Sequence, residues 1–98
     1  MTDKVWKQEE RRIARAFGTE RTPLSGSNSK MTQSDTLHPK FYIEIKHRKQ
    51  VPFYKVFLET DKKAKDEGKI PMVVLHESKR QKRIVMISLE DFVKLVKK

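Results

Sequence analysis

Cysteine is absent from this 98-residue chain, and glycine occurs only three times. Without cysteine there can be no disulfide, thiol catalysis or cysteine-based zinc site, and the chain suits a reducing cytoplasm. The few glycines form no phosphate-cradling pattern. Long apolar runs are also missing, and the start, from Met1 to Trp6, has none. We therefore expect neither a signal peptide nor a membrane span, and a cytoplasmic location, the host cytoplasm if the source is viral.

Acidic residues are few beside the basic ones, since 23 Lys and Arg against 13 Asp and Glu give a formal net charge of +10. The excess is spread along the chain and favours a polyanionic partner, with nucleic acid as the first candidate. An acidic membrane surface is the second. It is disfavoured because no basic amphipathic helix and no lipidation signal stand out. Charge alone does not separate an enzyme from a structural nucleic-acid binder.

The length and a hydrophobic content of 36% allow one small domain, which oligomerisation would help to stabilise. The residue pattern predicts helices over 3–17, 52–67 and after residue 88, with strands over 41–47, 70–76 and 83–88. A mixed central sheet flanked by helices on both faces accommodates this order. The sequence therefore predicts an α/β fold.

Apolar residues at helical spacing predict which side of each helix packs inward. They are Trp6, Ile13 and Phe17 on the first helix, Phe53, Phe57, Leu58 and Ala64 on the second, and Leu89, Phe92, Val93 and Val96 on the third. Core packing is thus expected of the aromatic residues, in preference to base stacking. Either the last helix or the strands over 70–87 could form a dimer surface.

The stretch over 19–40 is polar, rich in small residues and long for a connection in so small a domain, which indicates a flexible functional loop. It offers hydroxyl, amide, backbone and cationic donors suited to phosphates. A disordered insert is nearly as good an interpretation. The stretch could also contain a short strand leading into Asp35.

Glu44 and Lys46 lie two residues apart on the predicted strand over 41–47, so both project from the face opposite Phe41, Ile43 and Ile45. Asp35, just upstream, can converge on the same point. Two carboxylates there would hold a hard cation such as Mg²⁺, and the lysine could orient a water or stabilise charge on a phosphate. This arrangement suits phosphodiester cleavage, although a Glu-x-Lys on an edge strand is more often a solvated pair.

Five segments, in order along the chain, resemble the PD-(D/E)XK nucleases, and more closely the small Holliday-junction-resolvase-type members of archaea and phages. They are the glutamate-bearing helix at 6–14, the Arg and Ser-Gly segment at 18–26, Ser34-Asp35 in place of the signature Pro-Asp, Glu44-Ile45-Lys46, and the segment at 64–74. The resemblance implies a restriction-endonuclease-like core. It also implies a homodimeric, Mg²⁺-dependent endonuclease acting on branched DNA.

The resemblance implies a role for each matching residue. Asp35, Glu44 and the backbone carbonyl of Ile45 would bind Mg²⁺, which Mn²⁺ is expected to replace. Lys46 would position or polarise the attacking water. Glu10 would be the helix acid, with Glu9 as an alternative that spacing does not separate. The residues expected to contact nucleic acid are Arg21, Ser25, Gly26, Lys30, Arg48 and Lys62.

Two other functions stay open: a non-catalytic DNA-binding module with the same fold, and a nuclease for flap, nicked or linear duplex DNA. The three histidines, His38, His47 and His76, lack the close sequence spacing of a zinc site. If the strand continues, His47 points to the opposite face from Lys46. Surface histidine is therefore the expectation for all of them.

Overall fold

The computed structural model describes residues 5–23, 32–48 and 52–97. In these ranges the chain forms three helices and a three-stranded sheet. The elements in order are α1 (Val5–Ala16), β1 (Phe41–Arg48), α2 (Phe53–Asp66), β2 (Ile70–Glu77), β3 (Ile84–Met86) and α3 (Leu89–Val96). This is the predicted order, so the α/β class is confirmed.

The sheet is mixed, with β2 at its centre. β1 lies parallel to β2, with Phe41 opposite Ile70 and Arg48 opposite Glu77. β3 lies antiparallel on the other side of β2. Helix α2 supplies the crossover that a parallel pair of strands requires. Within the described sheet, β1 is therefore an edge strand whose outer side is open to other parts of the chain.

Helices pack on both faces of this sheet, as the sequence predicts. On one face, Ile13 of α1 forms a buried cluster with Ile43, Ile45 and Val74. The residues next to these in the strands point to the other face, where Tyr42 and Val73 are 0% exposed. Helix α2 covers that second face through a buried stripe of Val56, Thr60 and Ala64. The core is thus divided by the sheet into two thin layers.

The ends of the helices follow the predicted signals. Gly18, with φ of +71°, follows α1, and Gly68, with φ of +65°, follows α2. Glycine adopts this left-handed conformation without the steric cost that other residues meet. At the start of α3, the Ser88 side chain accepts a hydrogen bond from the Asp91 N–H at 3.2 Å. No described helix is both long enough and apolar enough to cross a membrane.

The prediction of inward-packing stripes is wrong for α3 and for part of α2. None of the residues of α3 is buried, and Leu89, Phe92 and Val96 are 71%, 51% and 65% exposed. On α2, Phe53 and Leu58 are also exposed. Helical spacing identifies an apolar side of a helix but not what covers it. Here β3 has only three residues, and these side chains are left more than half exposed.

Residues 32–36 lie along the outer side of β1, where they replace a neighbouring strand. The Ser34 hydroxyl donates to the Ile43 carbonyl at 3.0 Å and accepts from the Ile43 N–H at 2.9 Å. The Asp35 N–H also donates to the Ile43 carbonyl, at 2.9 Å. Further along, Arg21 and Thr36 form an isolated antiparallel bridge. Residues 32–36 of the 19–40 stretch are thus hydrogen-bonded along β1. The Arg21–Thr36 bridge lies in the region where the sequence allowed a short strand leading into Asp35.

Candidate active site

A cleft of about 230 Å³ opens beside the outer edge of β1. It is lined by α1, by the segment that carries Asp35, and by the second half of β1. The lining residues are Trp6, Glu10, Asp35, Glu44, Ile45, Lys46, His47 and Arg48. All the residues that the sequence assigns to catalysis or metal binding therefore come together in one place, although they are far apart in the chain.

Asp35 is held at the cleft by the strand itself. Its Oδ2 accepts a hydrogen bond from the Ile45 N–H at 2.8 Å. The N–H and C=O of a strand residue leave the strand on the same side, so the Ile45 carbonyl is directed to the same outer edge. The carboxylate and the carbonyl predicted to share a metal are thus neighbours.

Glu44 and Lys46 project from the same face of β1, as strand alternation predicts. Their side chains form an ion pair, with 3.2 Å between Lys46 Nζ and Glu44 Oε2, and the Lys46 and Glu44 side chains are only 22% and 18% exposed, respectively. Beside this pair, Glu59 and Lys63 of α2 line a small adjoining pocket. The pair lies between the acidic cleft and α2.

Carboxylates crowd the cleft. Burial, followed by the nearby Glu44 and Glu10 carboxylates, raises the pKa of Asp35 to about 7, against the opposing effects of the Ile45 N–H and Lys46. Burial also raises the pKa of Glu10, and the Glu44 carboxylate adds to this effect. Like charges that repel at short range are stabilised by a bound cation. Carboxylate and carbonyl oxygens are the ligands that Mg²⁺ prefers, so Asp35, Glu44 and Ile45 fit that ion.

The structure separates the two glutamates that spacing could not. Glu10 faces the cleft, where its Oε1 accepts from Arg21 Nε at 2.7 Å. Glu9 is buried on another side of α1, where the Arg83 guanidinium donates to both of its carboxylate oxygens. That hydrogen bond holds the pKa of Glu9 below its ordinary value. Adjacent helix residues point about 100° apart, so only one of the two can face the cleft.

The residues expected to contact nucleic acid are placed unevenly. Arg48 lines the cleft. Arg21 lies between Glu10 and Trp6, with its guanidinium carbon 5.4 Å from the indole ring centre. Lys62 is exposed on α2 and does not line the cleft. Ser25, Gly26 and Lys30 lie outside the described residues.

Sequence reasoning missed two neighbours of the site. Trp6 was assigned to the core, but it is 38% exposed and lines the cleft. Lys63, and not Lys62, lies beside the Glu44–Lys46 pair. The helical phase of the Val56, Thr60 and Ala64 stripe could have indicated Lys63, because that stripe defines the side of α2 that faces the sheet.

Comparison with known proteins gave no match among protein-family models, curated proteins or solved structures. A function for the cleft is therefore inferred from the residues and the geometry of this chain.

Proposed function

We propose that this protein is a Mg²⁺-dependent DNA endonuclease with a restriction-endonuclease-like core, of the Holliday-junction-resolvase type and acting on branched DNA. The observation that carries the proposal is the convergence of Glu10, Asp35, Glu44 and Lys46 in one cleft. These residues come from α1, the 32–36 segment and β1. They are also the residues to which the resemblance assigns catalysis.

The burial of Asp35 adds support. A solvated surface pair of Glu44 and Lys46 would need no third carboxylate beside it. Here a carboxyl with a pKa of about 7 is kept among other acids at a cost in stability. Unfavourable electrostatics of this kind are common at functional sites.

Each side chain has a distinct part in the proposed reaction. Asp35, Glu44 and the Ile45 carbonyl would hold Mg²⁺, which when bound neutralises phosphate charge and lowers the pKa of water. Lys46 would orient the attacking water and donate to the charge that develops on the phosphate. Glu10, already hydrogen-bonded to Arg21, would accept from a water at the rim of the cleft.

The charge of the chain supports a nucleic-acid substrate. The formal net charge is +10, and phosphate neutralisation dominates non-specific affinity for DNA. Two cations, Arg48 and Lys63, flank the acids of the cleft and its neighbouring pocket. On the proposed function, these two side chains would bind phosphates on either side of the cut bond.

A homodimer is part of the proposal. Two matched cuts in a four-way junction require two active sites, which a twofold axis would supply. Exposed apolar side chains on α3 offer a surface for a second copy. They are Leu89, Phe92, Val93 and Val96, which we call the α3 surface.

A non-catalytic DNA-binding module is the second candidate function. It is favoured by the internal pairs Glu44–Lys46 and Glu10–Arg21, at 3.2 Å and 2.7 Å, which partly neutralise the cleft without a metal. On this interpretation the acids would position basic side chains for DNA. Cutting would then be absent under all conditions.

The test is a cleavage assay with labelled four-way junction, flap, nicked and linear duplex DNA of related sequence. Wild-type protein is incubated with Mg²⁺, Mn²⁺ or EDTA, and products are separated on denaturing gels. We expect metal-dependent cutting, with paired symmetric cuts in the junction. Glu44→Gln should abolish it, while Asp66→Asn, at an exposed acid at the end of α2, should not.

The outcomes separate the parts of the proposal. An absence of metal-dependent cutting on all four substrates would contradict the nuclease. Equal rates on plain duplex and junction would contradict only the preference for branched DNA.

A further inference from the structure

A second cluster of potential ligands lies beside the cleft, on the α1 side of the sheet, and one member, His47, also lines the cleft. The cluster consists of Glu9, His47 and His76, whose ligand atoms all lie within 4.8 Å of one another. They come from α1, β1 and β2. His47 and His76 are 29 residues apart in the chain, but they are opposite each other in the parallel register of β1 and β2. Strand register supplies a proximity of His47 and His76 that sequence spacing does not show, so the spacing of the histidines does not by itself decide whether they bind a metal.

The separations suit a tetrahedral cation. The two Nδ1 atoms are 2.9 Å apart, and His76 Nδ1 lies 3.4 Å from Glu9 Oε1. A tetrahedral zinc ion with bonds of about 2.0–2.1 Å holds its ligand atoms roughly 3.3 Å apart. The His47 and Glu9 ligand atoms lie within 4.8 Å of each other, so side-chain rotations would bring all three onto one ion.

The hydrogen bonds around the cluster orient its donors. His76 Nε2 lies 2.7 Å from the Arg80 carbonyl, which can only accept, so this nitrogen carries the proton. Neutral His76 then has its lone pair on Nδ1, directed at His47 and Glu9. A histidine that binds a metal through one ring nitrogen commonly donates a hydrogen bond from its other ring nitrogen to a backbone carbonyl.

Glu9 is also fixed in place. Arg83 donates to both carboxylate oxygens, and the glutamate is only 6% exposed. Each carboxylate oxygen has a second lone pair, so Glu9 can accept from Arg83 and still coordinate an ion. His47 can bind through Nδ1 once its proton is on Nε2.

We propose that Glu9, His47 and His76 form a binding site for a zinc-class divalent cation, with water as a further ligand. Imidazole nitrogens favour Zn²⁺ over Mg²⁺, whereas the oxygen donors of the cleft favour Mg²⁺. The site joins α1 to two strands, so the bound ion stabilises the folded state by mass action. It is independent of the proposed endonuclease activity.

The test uses the full chain, freed of metals by chelation, with Zn²⁺ followed by calorimetry and Co²⁺ by its visible absorption. We expect one nitrogen-ligated ion per chain and a higher melting temperature in Zn²⁺ than in equimolar Mg²⁺. His47→Gln and His76→Gln should each weaken Zn²⁺ binding by about tenfold or more. His38→Gln, at the remaining histidine, is the matched control and should bind as the wild type does.

A double variant of the cleft, Asp35→Asn with Glu44→Gln, should keep this Zn²⁺ site, which separates it from binding at the acids. If a histidine variant fails to fold, imidazole NMR of the wild type replaces it. Zn²⁺ should then shift the His47 and His76 resonances and leave those of His38 in place. Unchanged Zn²⁺ affinity in both folded histidine variants, loss of binding in the cleft variant, or a shift at His38 alone would overturn the site.

Discussion

Among single residues, Asp35 links the geometry of the cleft to its chemistry. Its carboxylate is fixed by the Ile45 N–H at 2.8 Å, and its pKa is raised to about 7 by burial and by neighbouring acids. A cation binds the ionised form, so Mg²⁺ affinity should increase as the pH passes through this value. If the cleft binds Mg²⁺ as proposed, the burial of Asp35 lowers stability where this carboxyl is ionised and keeps a ligand ready for the ion.

Asp35→Asn should stabilise the protein by an amount that depends on pH. The folded pKa of about 7 exceeds the value of about 3.9 for an unfolded chain, so the folded state binds more protons between them. Ionisation of Asp35 therefore lowers stability as pH rises through this window. We expect the variant to gain roughly 1–4 kcal/mol in the free energy of unfolding at pH 8, and little near pH 4.

Urea denaturation in EDTA at several pH values measures this difference. Asparagine can still accept the hydrogen bond from Ile45, so the comparison isolates the charge. Asp66→Asn is the control for removing one exposed carboxylate. A gain that is the same at all pH values, or a loss at pH 8, would show that the carboxyl is not perturbed as described.

Among elements, the 32–36 segment and β1 form the unit that builds the site. Ser34, which the proposed resemblance aligns with the proline of the nuclease signature, makes two side-chain hydrogen bonds to the backbone of Ile43. Its own N–H donates to Thr32 Oγ1 at 3.0 Å. A proline has neither the hydroxyl nor the N–H. Serine thus ties the edge of β1 to the segment that carries Asp35.

Ser34→Ala should loosen that segment. The side chain is fully buried, and its loss leaves the Ile43 N–H without the acceptor it has here. The expected cost is about 1–3 kcal/mol in the free energy of unfolding. Hydrogen exchange should be faster at the Ile43 and Ile45 amides than elsewhere in the sheet.

The control for Ser34 is Ser78→Ala, at an exposed serine in the turn after β2. It should change neither stability nor exchange by a measurable amount. Equal stability of the two variants would contradict the role given to Ser34.

The sequence was sufficient for features set by local periodicity. Alternation along β1 predicted that Glu44 and Lys46 share a face, and glycine and serine marked the helix ends. It was insufficient where a contact depends on how elements pack. The different surroundings of Glu9 and Glu10, and the pairing of His47 with His76, depend on the rotation of α1 and the register of β2.

At the scale of the whole molecule, the α3 surface is an exposed apolar area on the described part of the chain. Phe92 is 51% exposed there, so Phe92→Ser should alter the stability of a monomer by less than about 1 kcal/mol. The same change should weaken a homodimer, because an apolar interface loses a large aromatic side chain. Sedimentation velocity over a range of protein concentrations measures the effect.

Val5→Ser is the matched control, since Val5 is an exposed apolar residue on α1. It should leave association unchanged. A wild-type chain that stays monomeric at high concentration, or a dimer that Phe92→Ser does not weaken, would contradict the use of this surface by a second copy.

The central claim concerns Lys46, because it distinguishes catalysis from binding alone. Its ammonium lies 3.2 Å from Glu44 at the cleft and is expected to act mainly in the transition state. The measurement is single-turnover cleavage of a four-way junction in Mg²⁺ by Lys46→Ala, with junction affinity measured in Ca²⁺. Lys94→Ala, at an exposed lysine on α3, is the control. The account predicts a loss of cleavage rate of about 10²-fold or more with affinity within roughly threefold of wild type; an unchanged rate in Lys46→Ala would contradict it.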